Sequence, residues 1–414
     1  SLAVGWRVSE EDFFKKADGL QFINNLKLKA SYGVLGNNNI GNYAYQSVYE
    51  LGNNYVFGKD VVSGAAIKTY ADPNLKWEKT RTTDVGIEAG FWQNKLTFNA
   101  SYFYRKTMDI LYKPSASYSS IFGLGIAEIN TGTLENKGWE FEIGHQNRIG
   151  DFSYQINGNF SIINNKVATL GAGNVEQLSG MVGNGSDLFI GYPMQMYYGY
   201  KTDGVFLNDA EVGDWYDQST IAPNSQAGDI RYVDVTGDGK VTEADKQYLG
   251  SRIPIYSFGL SLGFQYKNFD LSMLLQGVAG VKGMLDTYAG YAFFAEGNIQ
   301  RWQKEETWTN NQTQRYPKYP RLEKLSNAGS NNTLTSDFWV LNASYLKVRN
   351  IQFGYTLPQK ACKTMGIENV RFYISMDNPL SFHGYREGWD PEISTGGNYY
   401  PILSTYTFGL NIKF

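Results

Sequence analysis

The chain has 414 residues, a formal net charge of −3 and a pI near 5.6, with no Lys/Arg-rich run, which argues against nucleic acid as a partner. A single cysteine, Cys362, excludes an internal disulfide, and no apolar run is long enough for a membrane-crossing helix. The 45 glycines and 15% aromatic residues beside a negative mean hydropathy fit an all-β protein with alternating strands, since alternation hides an apolar face inside a soluble-looking average.

The N-terminal "SLAVGWRVSEEDFFKK" lacks the basic and apolar regions of a signal peptide. Strand patterning is clear at Leu26, Leu28, Ala30, Tyr32 and Val34. Val85, Ile87, Ala89 and Phe91 come next, joined by the turn "WQNK" to Leu96, Phe98, Ala100, Tyr102 and Tyr104. Trp139, Phe141 and Ile143 pass through "HQNRIGD" to Phe152, Tyr154, Ile156, Phe160 and Ile162. Phe258, Leu260, Leu262, Phe264 and Tyr266 turn at "KN" into Phe269, Leu271, Met273 and Leu275. Leu346 and Val348 are followed by Ile351, Phe353 and Tyr355, and the change of parity near Asn350 predicts a β-bulge. Val370, Phe372, Ile374 and Met376 precede the last run, Tyr406, Phe408, Leu410, Ile412 and Phe414. Period-two patterning broken by turns predicts antiparallel hairpins.

The connections alternate too. Short turns follow Phe91, Ile143 and Tyr266, whereas long Asn/Gly/Tyr-rich segments run from Gly36 to Trp77, Thr107 to Lys137, Lys166 to Arg252 and Gly277 to Ser344. Loops of that length are uncommon in compact domains unless functional. Short turns at one end and long loops at the other are the layout of a transmembrane antiparallel β-barrel. A large soluble β-sandwich shares the alternation, but uncharged polar faces such as "TFNASYFY" and aromatics at strand ends favour the barrel.

One stretch has the spacing of a twelve-residue calcium loop, "DVTGDGKVTEAD". Asp234, Thr236, Asp238, the carbonyl of Lys240, Thr242 and Asp245 occupy the ligand positions, and Gly239 sits at the sharp turn. Asp245 is a shorter arm than the usual glutamate. The loop lies between strand-like segments, so a Ca²⁺ or Mg²⁺ ion there would be structural. The competing reading is an acidic turn leading into a short helix from Thr242 to Tyr248.

Catalysis finds little support. Gly259-Leu-Ser261-Leu-Gly263 spells G-x-S-x-G, but Ser261 falls inside an alternating strand, where the strand–turn–helix of a nucleophile elbow is not expected. The chain has only two histidines, His145 and His383, and His145 ends a strand near a short turn, where a solvated residue is expected. Glu140 and Glu142 share one strand face, which suits a polar wall as well as glycosidase chemistry, and without a scaffolded cleft the wall is favoured. Aromatics in the long segments, Tyr43, Tyr45, Tyr55, Phe57, Tyr118, Phe122, Trp215, Tyr291, Phe293, Phe294 and Trp302, either pack their own loops or stack on ligand rings.

The segments "PNLKWEKTRTTDVGIEAGFWQNKLTFNASYFYRKTMDILY", "TGTLENKGWEFEIG", "GDIRYVDVTGDGKVTEADKQYLGSRIPIYSFGLSLGFQYKNFDLSMLLQGVAG", "SYLKVRNIQFGYTLP" and "DNPLSFHGYREGWDPEIS" together resemble the C-terminal part of a SusC/RagA-type TonB-dependent transporter of the Bacteroidota. The resemblance runs from near Trp6 to Phe414. It implies that residues 1–414 form about half of a barrel of roughly 22 strands, without the N-terminal plug. It also implies an outer-membrane location in contact with lipid. The implied activity is import of oligosaccharides, or of oligopeptides as in RagA. A SusD-like surface lipoprotein would cover the mouth, and TonB–ExbB–ExbD would act through the missing N-terminal part. The acidic loop recurs in that family, and the resemblance implies a loop-stabilising ion in a transporter rather than a calcium sensor. Gly409, Ile412 and the terminal Phe414 resemble the C-terminal signal read by the barrel-assembly machinery. The last strand is then expected to pair with Val370 to Met376 and to turn Phe414 to lipid. A reading of another class is a soluble secreted, calcium-stapled carbohydrate-binding β-protein.

Overall fold

A computed structural model describes residues 1–112, 124–127, 129–169, 177–179, 187–309, 313–325, 329–364, 366–386, 388–393 and 400–414. The chain divides into two units, one of residues 1–146 and 157–195, the other of residues 147–156 and 196–414. The first holds β1 (Leu2–Arg7), β2 (Ile23–Asn37), β3 (Glu78–Phe91), β4 (Leu96–Met108) and most of β5 (Thr133–Ile149) and β6 (Phe152–Thr169), side by side in chain order. The pairings from β1 to β5 are antiparallel. In the second unit five more follow, all antiparallel: β7 (Tyr256–Tyr266), β8 (Phe269–Ala279), β9 (Tyr345–Thr356), β10 (Asn369–His383) and β11 (Thr405–Lys413).

Register sorts the side chains. Val4, Ala30, Val85, Tyr102 and Trp139 stand opposite one another across β1 to β5, forming an apolar row. One residue along, Gly5, Lys29, Gly86, Ser101 and Glu140 form a polar row. The second unit repeats this, with Phe264, Leu271, Phe353, Ile374 and Phe408 beside Gln265, Asp270, Gly354, Tyr373 and Gly409. A slip of one residue would exchange the two sets, so the pattern fixes the pairing. Val85, Trp139, Phe353, Ile374 and Phe408 are exposed, Phe408 by 78%. An apolar band of this extent is unstable against water and suited to lipid.

The polar face is cross-linked. Lys29 Nζ donates to Glu88 Oε1 at 3.0 Å, Asn99 Nδ2 to Glu142 Oε2 at 3.1 Å, and Arg371 Nη2 to Asp270 Oδ2 at 2.6 Å. Two glycines make room for large neighbours. A Cβ on Gly354 would come within 2.5 Å of the Arg371 guanidinium and the Asp270 carboxylate. One on Gly409 would lie 2.0 Å from the Tyr373 ring, which covers the bare backbone there.

β11 pairs with β10 from Val370 opposite Ile412 to Met376 opposite Tyr406, as the pattern predicts. Phe414 follows the last strand residue and is 88% exposed. The bulge near Asn350 is present as a register shift between Val348 and Asn350. Three expectations change. β1 was too short to stand out, although Leu2, Val4 and Trp6 alternate. "HQNRIGD" is mostly strand, because β5 runs on to Ile149 and leaves only Gly150 and Asp151 as the turn. The helix expected over Thr242–Tyr248 is a single 3-10 turn, Glu243–Asp245, because Gln247–Ser251 pairs with Met196–Gly199 instead.

The two faces give a direct test. Leu410→Arg places a cation on the apolar face, at a cost of about 2–4 kcal/mol at the bilayer midplane, and should reduce the heat-modifiable, assembled protein in membranes. Asn411→Arg, on the polar face, should assemble as wild type.

Candidate functional site

Within the second unit the long connections between strands fold into a packed assembly. Met196–Gly199 pairs with Gln247–Ser251, Thr202–Val205 with Ile230–Tyr232, and Lys282–Met284 with Val340–Asn342. Side chains from these strands and the segments beside them, including Tyr197, Tyr200, Ile230, Tyr232, Val241 and Trp339, form one buried core. Polar bonds hold its edges: the Thr202 hydroxyl donates to Asp337 Oδ1 at 2.7 Å, and buried Asp229 accepts from Arg321 Nε at 2.5 Å and Asn332 Nδ2 at 2.8 Å.

The same unit contains a charge cluster that joins two of the motifs. Lys347, only 2% exposed, lies on the polar side of β9. Its Nζ donates to Asp390 Oδ1 and Oδ2 at 2.7 and 2.6 Å and to Glu392 Oε2 at 2.5 Å. The Tyr345 hydroxyl donates to Glu392 Oε1 at 2.5 Å, and Arg349 pairs with the same oxygen. "SYLKVRN" is thus stapled to "WDPEI". The patterns of neither segment announce this, since a lysine on a polar strand face and an acidic loop each look solvated alone. Burial opposes ionisation of Glu392, but the donors Lys347, Tyr345 and Arg349 outweigh it and hold its pKa below the ordinary glutamate value.

The loop aromatics separate into two groups. Tyr291, Phe293 and Trp302 pack against the buried core. Phe294 stacks edge-on with Tyr288. Trp215 Nε1 donates to the Tyr232 carbonyl at 2.7 Å beneath the Arg231 guanidinium. In the first unit, by contrast, Tyr43, Tyr45, Tyr55 and Phe57 are exposed. The last two belong to the short strand Tyr55–Phe57, which pairs with Asp60–Val62. Tyr118 and Phe122 lie outside the described residues.

Ser261 stands in the middle of β7 opposite Leu274, with no elbow around it. His145 lies in β5 opposite Leu96, and His383 ends β10 opposite Tyr345. Glu140 and Glu142 are exposed on β5, Glu142 bonded to Asn99.

The acidic loop closes on itself. Asp245 is fully buried, and its Oδ1 accepts from the amides of Val235 and Thr236, both at 2.9 Å, and from the Thr236 hydroxyl at 3.0 Å. Its Oδ2 accepts from the amide of Thr242 at 2.7 Å and its hydroxyl at 3.4 Å. Asp234 accepts from the Gly237 amide at 2.6 Å, the Gly239 amide at 2.8 Å and the Thr236 hydroxyl at 3.2 Å. Asp238 accepts from the Lys240 amide at 2.9 Å. Gly239, with φ +87°, makes the expected turn. A carboxylate offers about four lone-pair sites, and those of Asp245 are filled by donors, so the side chains as arranged do not fit the expected Ca²⁺ or Mg²⁺ ion. Among the described residues, no group of three or more His, Cys, Asp or Glu is placed to hold a metal.

The profile of the family described as TonB dependent receptor-like, beta-barrel, matches residues 1–378. The chain belongs to the TonB-dependent receptor β-barrel family. It is 30% identical to TonB-dependent receptor P3 of Formosa agariphila over 456 residues, covering 100% of this chain and 41% of that one. It is 29% identical to TonB-dependent receptor SusC of Bacteroides thetaiotaomicron, covering 100% of this chain and 40% of SusC. The RagAB peptide transporter matches in fold, with a TM-score of 0.76 at 22% identity, covering 100% of this chain and 43% of that one. The chain therefore spans about two-fifths of the length of these relatives. A TonB-dependent receptor barrel of SusC/RagA type lies in the bacterial outer membrane, which accounts for the exposed apolar rows and sets aside the soluble secreted reading.

Two tests follow from this geometry. Because the Glu392 pKa is lowered on folding, its contribution is fully present above its unfolded value of about 4.5 and is lost as pH falls through the folded value. Proteolysis within 388–393 should therefore accelerate below that pH. Lys347→Met, which breaks a buried ion pair at a cost of about 3–5 kcal/mol, should produce the same cleavage at neutral pH. For the acidic loop, Asp245→Ala should expose 234–246 to protease, whereas EGTA on the wild type should leave its cleavage pattern unchanged.

Proposed function

We propose that residues 1–414 supply the C-terminal part of the barrel of an outer-membrane importer that takes up oligosaccharides. The observation that carries this reading is the loop assembly. The long connections of the second unit pack around one core and are stapled to the polar face of β9 through Lys347. Such loops, with polar strand faces below them, suit capture and passage of a hydrophilic solute. Catalysis has no comparable support, since Ser261 and the two histidines occupy ladder positions.

The choice of oligosaccharide is supported by Tyr43, Tyr45, Tyr55 and Phe57, whose exposed rings are free of the buried core and present faces to the C–H surfaces of sugars. Import of oligopeptides, the cargo named for RagAB, is the second reading. The proposed partners are a SusD-like surface lipoprotein over the loops and TonB–ExbB–ExbD, acting through a plug expected of the family.

Deletion of the gene in its host, with uptake of fluorescent oligosaccharides and oligopeptides measured side by side, tests this. Loss of oligosaccharide uptake, with a lipoprotein co-purifying in detergent, is the expected result. Loss of peptide uptake alone would move the assignment to the second reading, and unchanged uptake of both would remove the importer proposal.

A further inference from the structure

A cavity of about 290 Å³ opens in the second unit where three long connections meet the ends of β8 and β9. Tyr197, Arg252 and Pro254 come from the first connection, Val281, Lys282, Gly283 and Ala343 from the second, and Tyr385, Pro391, Glu392 and Ile393 from the third. Val278 and Tyr345 supply the strand ends. The size is at the lower limit of small-ligand sites and admits one ring or one residue of a longer ligand.

Its chemistry is uneven. Tyr197, Tyr345 and Tyr385 are buried and provide rigid walls. Glu392 is already neutralised by Lys347 and Arg349. Arg252 and Asp286 act with opposite sign on the phenols of Tyr197 and Tyr385, and Arg386, which does not line the cavity, adds a positive charge on the side of Tyr385. Lys282 remains. Its side chain makes no ion pair or hydrogen bond with the described residues, and its stem lies against Gly250, where a Cβ would meet Lys282 Cγ at 2.3 Å. Gly250 has φ +128°, a conformation open to glycine. Gly283 keeps the wall clear: a Cβ there would sit 3.0 Å from the Tyr385 hydroxyl.

We propose that this cavity is a subsite for one anionic residue of the transported ligand, with its carboxylate on Lys282 and its body between the tyrosines. This rests on the importer reading and adds the charge of the ligand to it. A carboxylate of this kind belongs equally to a uronic acid or to an acidic amino acid, and the experiment separates the two.

Binding is measured by calorimetry on the receptor extracted from the outer membrane in detergent. The probes are trigalacturonate, its neutral methyl ester, and the tripeptides Ala-Glu-Ala and Ala-Gln-Ala. In one of the two pairs, the acidic member should bind about tenfold more tightly than its neutral partner, the scale of one charge-assisted hydrogen bond. Lys282→Met should abolish that difference and Lys282→Arg should keep it, with the thermal midpoint unchanged in both. Gly283→Val should weaken the acidic and neutral probes alike by filling the cavity. Equal affinity within both pairs, no binding of any probe, or discrimination that survives Lys282→Met would overturn the subsite. Uptake of neutral oligosaccharides in cells would still stand in each of those cases, so failure here is distinct from failure of the importer reading.

Discussion

Every backbone N–H and C=O in a lipid-embedded strand must find a partner within the protein, and this constraint organises the rest of the chain. Antiparallel ladders meet it, and once the ladder is formed each strand must show lipid and interior on alternate residues. The rows through Val85 and Phe353 on one face, and through Lys29 and Asp270 on the other, follow from that requirement. So do the accommodations on the polar side. Gly409 gives the ring of Tyr373 a place to lie, and Gly354 lets Arg371 reach Asp270.

The bulge in β9 shows the constraint being relaxed at one point for another purpose. Before it, Lys347 and Arg349 share the polar face. After it, the parity changes and Asn350 joins them, bonded to Asp377 at 2.7 Å. Several polar groups are therefore gathered at the end of β9, where the loop residues Asp390 and Glu392 meet them. A buried ion cluster of this kind need not add net stability, since desolvation of each charge offsets much of the attraction. Its evident consequence is positional: one end of a long connection is fixed against a strand, and the walls of the neighbouring cavity are set with it.

The legible part of the fold was the part governed by period two. Val85 to Tyr104 and Phe258 to Leu275 read as hairpins from pattern alone, and even the slip at Asn350 showed as a parity change. β1 did not stand out because six residues give too few alternations. The loop assembly was not legible because its core residues, such as Tyr200, Ile230, Val241 and Trp339, come from segments far apart in sequence and carry no shared period. The acidic loop was legible as geometry, with Gly239 at the turn. The partners of its carboxylates were not, because backbone amides leave no mark on a sequence. Lys282 was missed for a related reason: its role depends on where three connections converge.

The central claim is the division of each strand into a lipid face and an interior face. Cys362 is 1% exposed and lies in the short helix Gln359–Thr364, on neither strand face, so Cys362→Ala provides the background for single cysteines along β10. Nitroxide labels at Arg371, Phe372, Tyr373, Ile374, Ser375 and Met376 in reconstituted bilayers would report collision with oxygen, which concentrates in lipid, and with a water-soluble nickel chelate. The account predicts that Phe372, Ile374 and Met376 meet oxygen and that Arg371, Tyr373 and Ser375 do not. Labels on both sets reached equally by the nickel chelate would contradict it.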